Sequence, residues 1–118
     1  MTSKDPHAAL DGLTVRFEEG GVLQVDELDR VVVAVSPMWA TIAFLARERD
    51  RATGVWRAPR VQLRRYKRRG GRFVVEKHFT LTGRTQADAV AAALQGWFAA
   101  GGKGRVEGDD ASGGDDDE

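Results

Sequence analysis

The stretch that decides the fold runs Arg60-Val61-Gln62-Leu63-Arg64-Arg65-Tyr66-Lys67-Arg68-Arg69-Gly70-Gly71-Arg72-Phe73-Val74-Val75-Glu76-Lys77-His78-Phe79-Thr80-Leu81. Two runs rich in β-branched and aromatic residues flank Gly70-Gly71, a pair that reaches the positive φ of a two-residue turn without steric cost. The reading is an antiparallel hairpin with strands over residues 55–69 and 72–82. Alternation with period two then sorts the side chains by face. Val61, Leu63, Phe73, Val75, Phe79 and Leu81 are expected to face the core. Arg60, Gln62, Arg64 and Tyr66, with Val74, Glu76, His78 and Thr80, are expected to face solvent, joined by Trp56 if it keeps register past Pro59.

Charge concentrates on this hairpin. Residues 57–84 carry ten basic groups, Arg57, Arg60, Arg64, Arg65, Lys67, Arg68, Arg69, Arg72, Lys77 and Arg84, against Glu76 alone. The whole chain has a formal net charge of +0, but that balance hides −4 over residues 1–35, +9 over 36–100 and −5 over 101–118. Arginine outnumbers lysine 14 to 4 and asparagine is absent, so clustering rather than arginine identity carries the weight. Cations interleaved with aromatic rings suit a polyanion whose phosphates take the charge and whose bases take the ring faces. The expected contact residues are Trp56, Arg57, Arg60, Arg64, Arg65, Tyr66, Lys67, Arg68, Arg69, Arg72, Lys77 and His78. A charged hairpin also deters edge-to-edge aggregation, but ten cations exceed what that purpose needs.

Working outward, Leu13-Thr14-Val15-Arg16-Phe17 alternates as a half-buried strand. Glu18-Glu19-Gly20-Gly21 reads as a turn, and Val22-Leu23-Gln24-Val25 as the return strand. Asp26-Glu27-Leu28-Asp29 reads as a second turn, before the buried strand Val31-Val32-Val33-Ala34-Val35. Ser36-Pro37 has the chemistry of a helix start, and Met38, Trp39, Ile42, Leu45 and Ala46 follow at helical spacing up to Gly54. A helix over 37–53, with Trp39 in the core, is therefore expected, a strand through Thr41–Arg49 being the alternative. Thr85-Gln86-Ala87-Asp88 resembles a capping box and opens a second helix with the apolar stripe Ala87, Val90, Ala91, Leu94 and Phe98, ended by Gly101-Gly102.

The expected fold is α+β: an antiparallel sheet of about five strands with two helices, in the order β-β-β-α-β-β-α. A flexible leader over residues 1–10 precedes a single domain over 11–100, and a disordered acidic tail over 101–118 follows. The tail could compete with a polyanion for the basic hairpin or act only as a solubilising segment. A folded part of this size is marginal alone, so a homodimer is expected. The absence of cysteine excludes disulfides and thiolate sites, no apolar run is long enough for a membrane span, and no signal peptide is recognisable. A cytoplasmic location is compatible with these features. His7 and His78 lack partners at a metal-binding spacing, Ser3, Ser36 and Ser112 lack an assignable base, and no glycine pair forms a phosphate loop. The expected protein is not an enzyme and carries no metal or cofactor.

Val61-Gln62-Leu63-Arg64-Arg65-Tyr66, the Gly70-Gly71 turn, then Phe73-Val74-Val75-Glu76-Lys77 and Phe79-Thr80-Leu81 leading into a helix resemble the positive cofactor four family of transcriptional coactivators over residues 56–98. That resemblance implies a curved antiparallel sheet, dimerisation through the helix and single-stranded DNA bound on basic and aromatic sheet residues, Arg64 and Tyr66 matching the strand pattern. Where the family has Lys-Lys-Gly this chain has Glu76-Lys77-His78, so only Lys77 carries over as a phosphate contact. The leading expectation is thus a module for single-stranded DNA, working in transcription, replication or repair. One alternative is a reader of duplex DNA that resembles the arm-binding domains of integrases. The other is a protein-interaction adaptor whose basic hairpin docks an acidic partner.

Overall fold

The computed structural model describes residues 8–105 and divides the chain into two compact units, residues 1–84 and 85–118. The first contains a five-stranded antiparallel sheet. The strands β1 (Phe17–Glu19), β2 (Val22–Val35), β3 (Trp39–Glu48), β4 (Arg60–Arg69) and β5 (Arg72–Leu81) lie side by side in chain order, preceded by a short 3-10 turn over Ala8–Leu10. Among the described residues the second holds, from Thr85 on, the helix α1 (Arg84–Phe98), which starts one residue ahead of Thr85, carries the expected apolar stripe and buries none of its residues. No helix among the described residues is long and apolar enough to cross a membrane. Part of the expected leader (1–7) and most of the expected tail (106–118) lie outside the described residues.

The fold is a meander because every strand pairs with the next in the chain, across tight connections except for the eleven-residue loop between β3 and β4. Gly70 and Gly71 take φ values of 57° and 84°, and close the turn that brings Arg69 opposite Arg72. Gly20-Gly21 does the same between β1 and β2. The expected turn at Asp26–Asp29 does not exist, since β2 runs through it for 14 residues. The extra length is absorbed by register shifts at Glu27/Asp29 and Val32/Ala34. A third shift, at Arg65/Tyr66, leaves Glu76 as the extra residue on β5. Such bulges bend a strand and increase its twist, which curls the sheet.

The helix expected over 37–53 is instead strand β3 and the loop that follows it. Ser36 still makes the bond of a helix cap, its hydroxyl accepting the Trp39 N–H at 3.1 Å. The Ser36 N–H, however, donates to the Trp39 carbonyl at 2.8 Å, so the same four residues form a reverse turn into a strand. Ala40, Ile42, Phe44 and Ala46 then alternate with Trp39, Thr41, Ala43, Leu45 and Arg47. Pairing with β2 on one side and β4 on the other overrides the helical spacing.

Alternation gives the sheet one covered face. Ala40, Ile42, Phe44 and Ala46 of β3, Tyr66 of β4 and Phe73 of β5 are buried there against Leu10 and Val15. The expected flexible leader is therefore corrected at its end, because Leu10 is only 2% exposed. The first strand is corrected as well: residues 11–16 form no strand, and pairing starts at Phe17. The segment is held by Arg30, whose guanidinium donates to the carbonyls of Leu10 (3.1 Å) and Leu13 and to both carboxylate oxygens of Glu27 (2.8 and 3.0 Å). Glu27 also accepts the Thr14 hydroxyl, and Arg30 lies 5.2 Å above the Phe44 ring.

Burial works to raise the Glu27 carboxyl, but the hydrogen bonds from Arg30 and Thr14 outweigh it and hold the group below its ordinary value. A carboxyl so lowered stabilises the fold fully above its unfolded value of about 4.5, and that contribution is lost as pH falls through the lower native value. Glu27→Gln should therefore cost roughly 1–3 kcal/mol near neutral pH. In urea denaturation its deficit against the parent should hold down to about pH 4.5 and shrink only as pH falls further. A deficit independent of pH would show that the charge is not what matters.

Candidate functional site

The second face of the sheet is largely exposed, and paired residues define its rows. Trp39, Lys67 and Val74 form the first row; Ala34, Thr41, Arg65 and Lys77 the second; Val31, Ala43, Leu63 and Phe79 the third; Asp29, Leu45, Val61 and Leu81 the fourth. Asp26 and Arg47 follow, then Arg49, which is bridged to Trp56. Val31 and Phe79 are 60% and 59% exposed, so an apolar band crosses the middle of this face. Leu81, at the end of β5, is buried.

At one end Trp39 lies between two cations: the Arg65 guanidinium is 4.1 Å from the ring centroid and the Lys67 ammonium 5.2 Å. Lys77 sits opposite Arg65 on β5, and Arg69 and Arg72 extend the cluster to the hairpin tip. Among the described residues none of these five cations is within ion-pair distance of a carboxylate. The Nε of Arg65 is buried with no hydrogen-bond partner among the described residues, and its guanidinium carbon lies over the indole. At the other end the Arg47 guanidinium stacks 4.3 Å from the Trp56 ring. That charge is offset by Asp26 at 3.5 Å.

The structure divides the twelve residues expected to make contact. Trp56, Arg65, Lys67, Arg69, Arg72 and Lys77 belong to the exposed face. Arg60, Arg64, Tyr66, Arg68 and His78 belong to the covered face, so the expected assignment of faces on β4 is inverted. Tyr66 is 1% exposed, opposite Ala40 and Val75, and burial pushes its phenol above the ordinary value against the pull of nearby Arg64. Arg64 lies between Ile42 and His78 with its Nε donating to Gln62, and its aliphatic stem flanks the core edge. Arg68 crosses the Phe73 ring at 4.5 Å and donates to the carbonyls of Pro37 (2.7 Å) and Gly71 (3.2 Å).

Arg57 is outside the strands and is paired with Asp50 at 3.1 Å. The Asp50 carboxyl is held below its ordinary value by the Thr53 N–H, the Arg57 guanidinium and the Ala52 N–H. The bulge on β5 splits the expected core set. Phe73 and Val75 share the side of Tyr66, though only Phe73 is buried there, whereas Phe79 shares the exposed face with Leu63.

Trp39, Arg47 and Phe79 are the site residues that sequence reasoning missed. The signal for Trp39 was the run Ala40, Ile42, Phe44, Ala46, whose period of two sends Trp39, one residue ahead of it, to the opposite face. Comparison with family models, curated proteins and solved structures finds no match to this chain.

Because Tyr66 belongs to the core, Tyr66→Ala should lower stability by roughly 3–5 kcal/mol, as loss of a buried ring does. Tyr66→Phe should fold like the parent and keep any ligand affinity unchanged. Thermal unfolding and a binding titration of both variants check this; weaker binding by a well-folded Tyr66→Phe would return the residue to the ligand surface.

Proposed function

We propose that this protein binds single-stranded nucleic acid on the exposed face of its sheet and is not an enzyme. The observation that carries the reading is Trp39 flanked by Arg65 and Lys67, with Lys77 alongside and no carboxylate paired to any of the three among the described residues. An aromatic ring beside uncompensated cations serves a base and its phosphates at once, in a sequence-tolerant way. The exposed apolar band with Phe79 offers further stacking area. A curled sheet face of ten-residue strands suits an unpaired strand, whose bases can be splayed onto it. The proposal keeps the ligand class expected from the hairpin and moves it to the opposite face of β4.

Each phosphate neutralised by the protein contributes about −0.7 to the slope of log affinity against log salt for a single strand. The three cations around Trp39 therefore account for a slope of roughly −2. Titration of labelled oligonucleotides with the parent and the Arg65/Lys67/Lys77→Ala variant, from low to physiological salt, is the test. The variant should remain folded by circular dichroism, bind more weakly at low salt, and show a slope flatter by about 2. Salt-independent binding by the parent, an unchanged slope in the variant, or tighter binding of duplex than of single strand would each overturn the proposal.

A further inference from the structure

We propose, resting on the reading above, that the bound strand runs lengthwise along β3, from the Trp39–Arg65 stack to the Trp56–Arg47 stack. The two indoles belong to the same face. Trp39 is paired with Lys67, and Trp56 is bridged to Arg49, which shares a side of β3 with Trp39, Thr41, Ala43, Leu45 and Arg47. Each indole is covered by a guanidinium, at 4.1 Å for Arg65 on Trp39 and 4.3 Å for Arg47 on Trp56. A guanidinium laid on an indole presents a flat, polarised surface on which a base continues the pile.

The path between the stacks is shaped for a linear ligand. The side chains that β3 presents there are small at Thr41 and Ala43, and two hollows follow one another beside them. One, of about 390 Å³, is bordered by Thr41, Leu63, Arg65, Lys77 and Phe79, with Arg64 and His78 of the covered face also reaching it. The other, of about 170 Å³, is bordered by Asp29, Val31, Ala43, Leu45 and Val61, with Arg30 and Phe44 of the covered face also reaching it. The eight residue steps from Trp39 to Arg47 cover roughly 27 Å at about 3.4 Å per residue. A strand stacked as in a duplex advances about 3.4 Å per nucleotide, so about eight nucleotides span the path and a more extended strand needs fewer.

The two ends differ in charge, and this gives the path a signature. The Trp39 end holds Arg65, Lys67 and Lys77 without carboxylate partners among the described residues. At the Trp56 end the Arg47 charge is offset by Asp26, and the Nε of Arg49 donates to the Gly54 carbonyl. Phosphate binding is therefore concentrated at the first end, and reaching the second adds stacking with little counterion release. Affinity should grow with length while the salt slope stays nearly constant.

Fluorescence anisotropy of the full chain with oligothymidylates of about 3 to about 18 nucleotides, a range that brackets the roughly 4–16 nucleotides of single-strand-binding folds, reads both properties. The parent should tighten with length up to about eight nucleotides and then level off. Trp56→Ala should weaken the longest oligonucleotides by roughly 5- to 140-fold, the range that loss of one stacked base implies, and leave the shortest unchanged. Trp56→Phe, which keeps a ring, should restore most of that loss and controls for folding. Trp39→Ala should weaken binding at every length. A Trp56→Ala profile equal to the parent's, an equal loss at all lengths, or a salt slope that steepens with each added nucleotide would overturn the path while leaving nucleic-acid binding in place. A folded parent that binds no oligonucleotide even at low salt would overturn both.

Discussion

The cluster of Arg30, Glu27 and the carbonyls of Leu10 and Leu13 is the constraint on which the rest of the sheet unit depends. A five-stranded meander has two faces of similar backbone geometry, and either could be buried. Arg30 lies on β2 above Phe44 and spends its donors on the chain segment that crosses the sheet, which lays Leu10 and Val15 over Ile42, Phe44 and Tyr66. Once that face is covered, every alternation on β3 and β4 is determined. Trp39, Arg65 and Lys67 must then lie on the other side. A half-buried ion pair with several charge-assisted hydrogen bonds is a directional device that hydrophobic burial alone does not supply.

The bulges complete the division of labour. Without the register shift at Arg65/Tyr66, the odd-numbered apolar residues of β5 would all face one way, and Phe73, Val75 and Phe79 would compete for the same core. The extra residue Glu76 puts Phe73 and Val75 on the side of Tyr66, where Phe73 is buried and Val75 stays 43% exposed, and turns Phe79 to the other side. The same residue sets Lys77 beside Arg65 on the exposed face. The cost is an apolar ring left 59% exposed, which a ligand that stacks on it would offset. The arginines of the covered face have a structural use instead: their stems flank the core, and Arg68 ties the hairpin to Pro37.

Much of this was legible in the chain. The hairpin, its Gly70-Gly71 turn, the Gly20-Gly21 turn and the C-terminal helix follow from local chemistry, because each depends on residues within a few positions of one another. The span 37–53 was misread because Ser36-Pro37 satisfies the rules for a helix start and for a reverse turn alike. The hydroxyl accepts the same N–H in both cases. What separates them is whether a neighbouring strand is present to pair, and β2 and β4 are both within reach. The expected turn at Asp26–Asp29 failed for a related reason: a bulge at Leu28 keeps an acidic, turn-like sequence inside a continuous strand.

By itself the sequence determined that the chain would form antiparallel strands and a closing helix, and that positive charge would gather on one hairpin. These are properties of composition, turn chemistry and short-range periodicity. Only the tertiary structure decided which half of that charge is free. Alternation says which side chains share a face but not which face is buried, and a single extra residue reverses the answer along the rest of a strand. Arg30 reaching back to Leu10 and Leu13, 20 and 17 residues away, and Glu76 slipping the register of β5 are the two events that settle it.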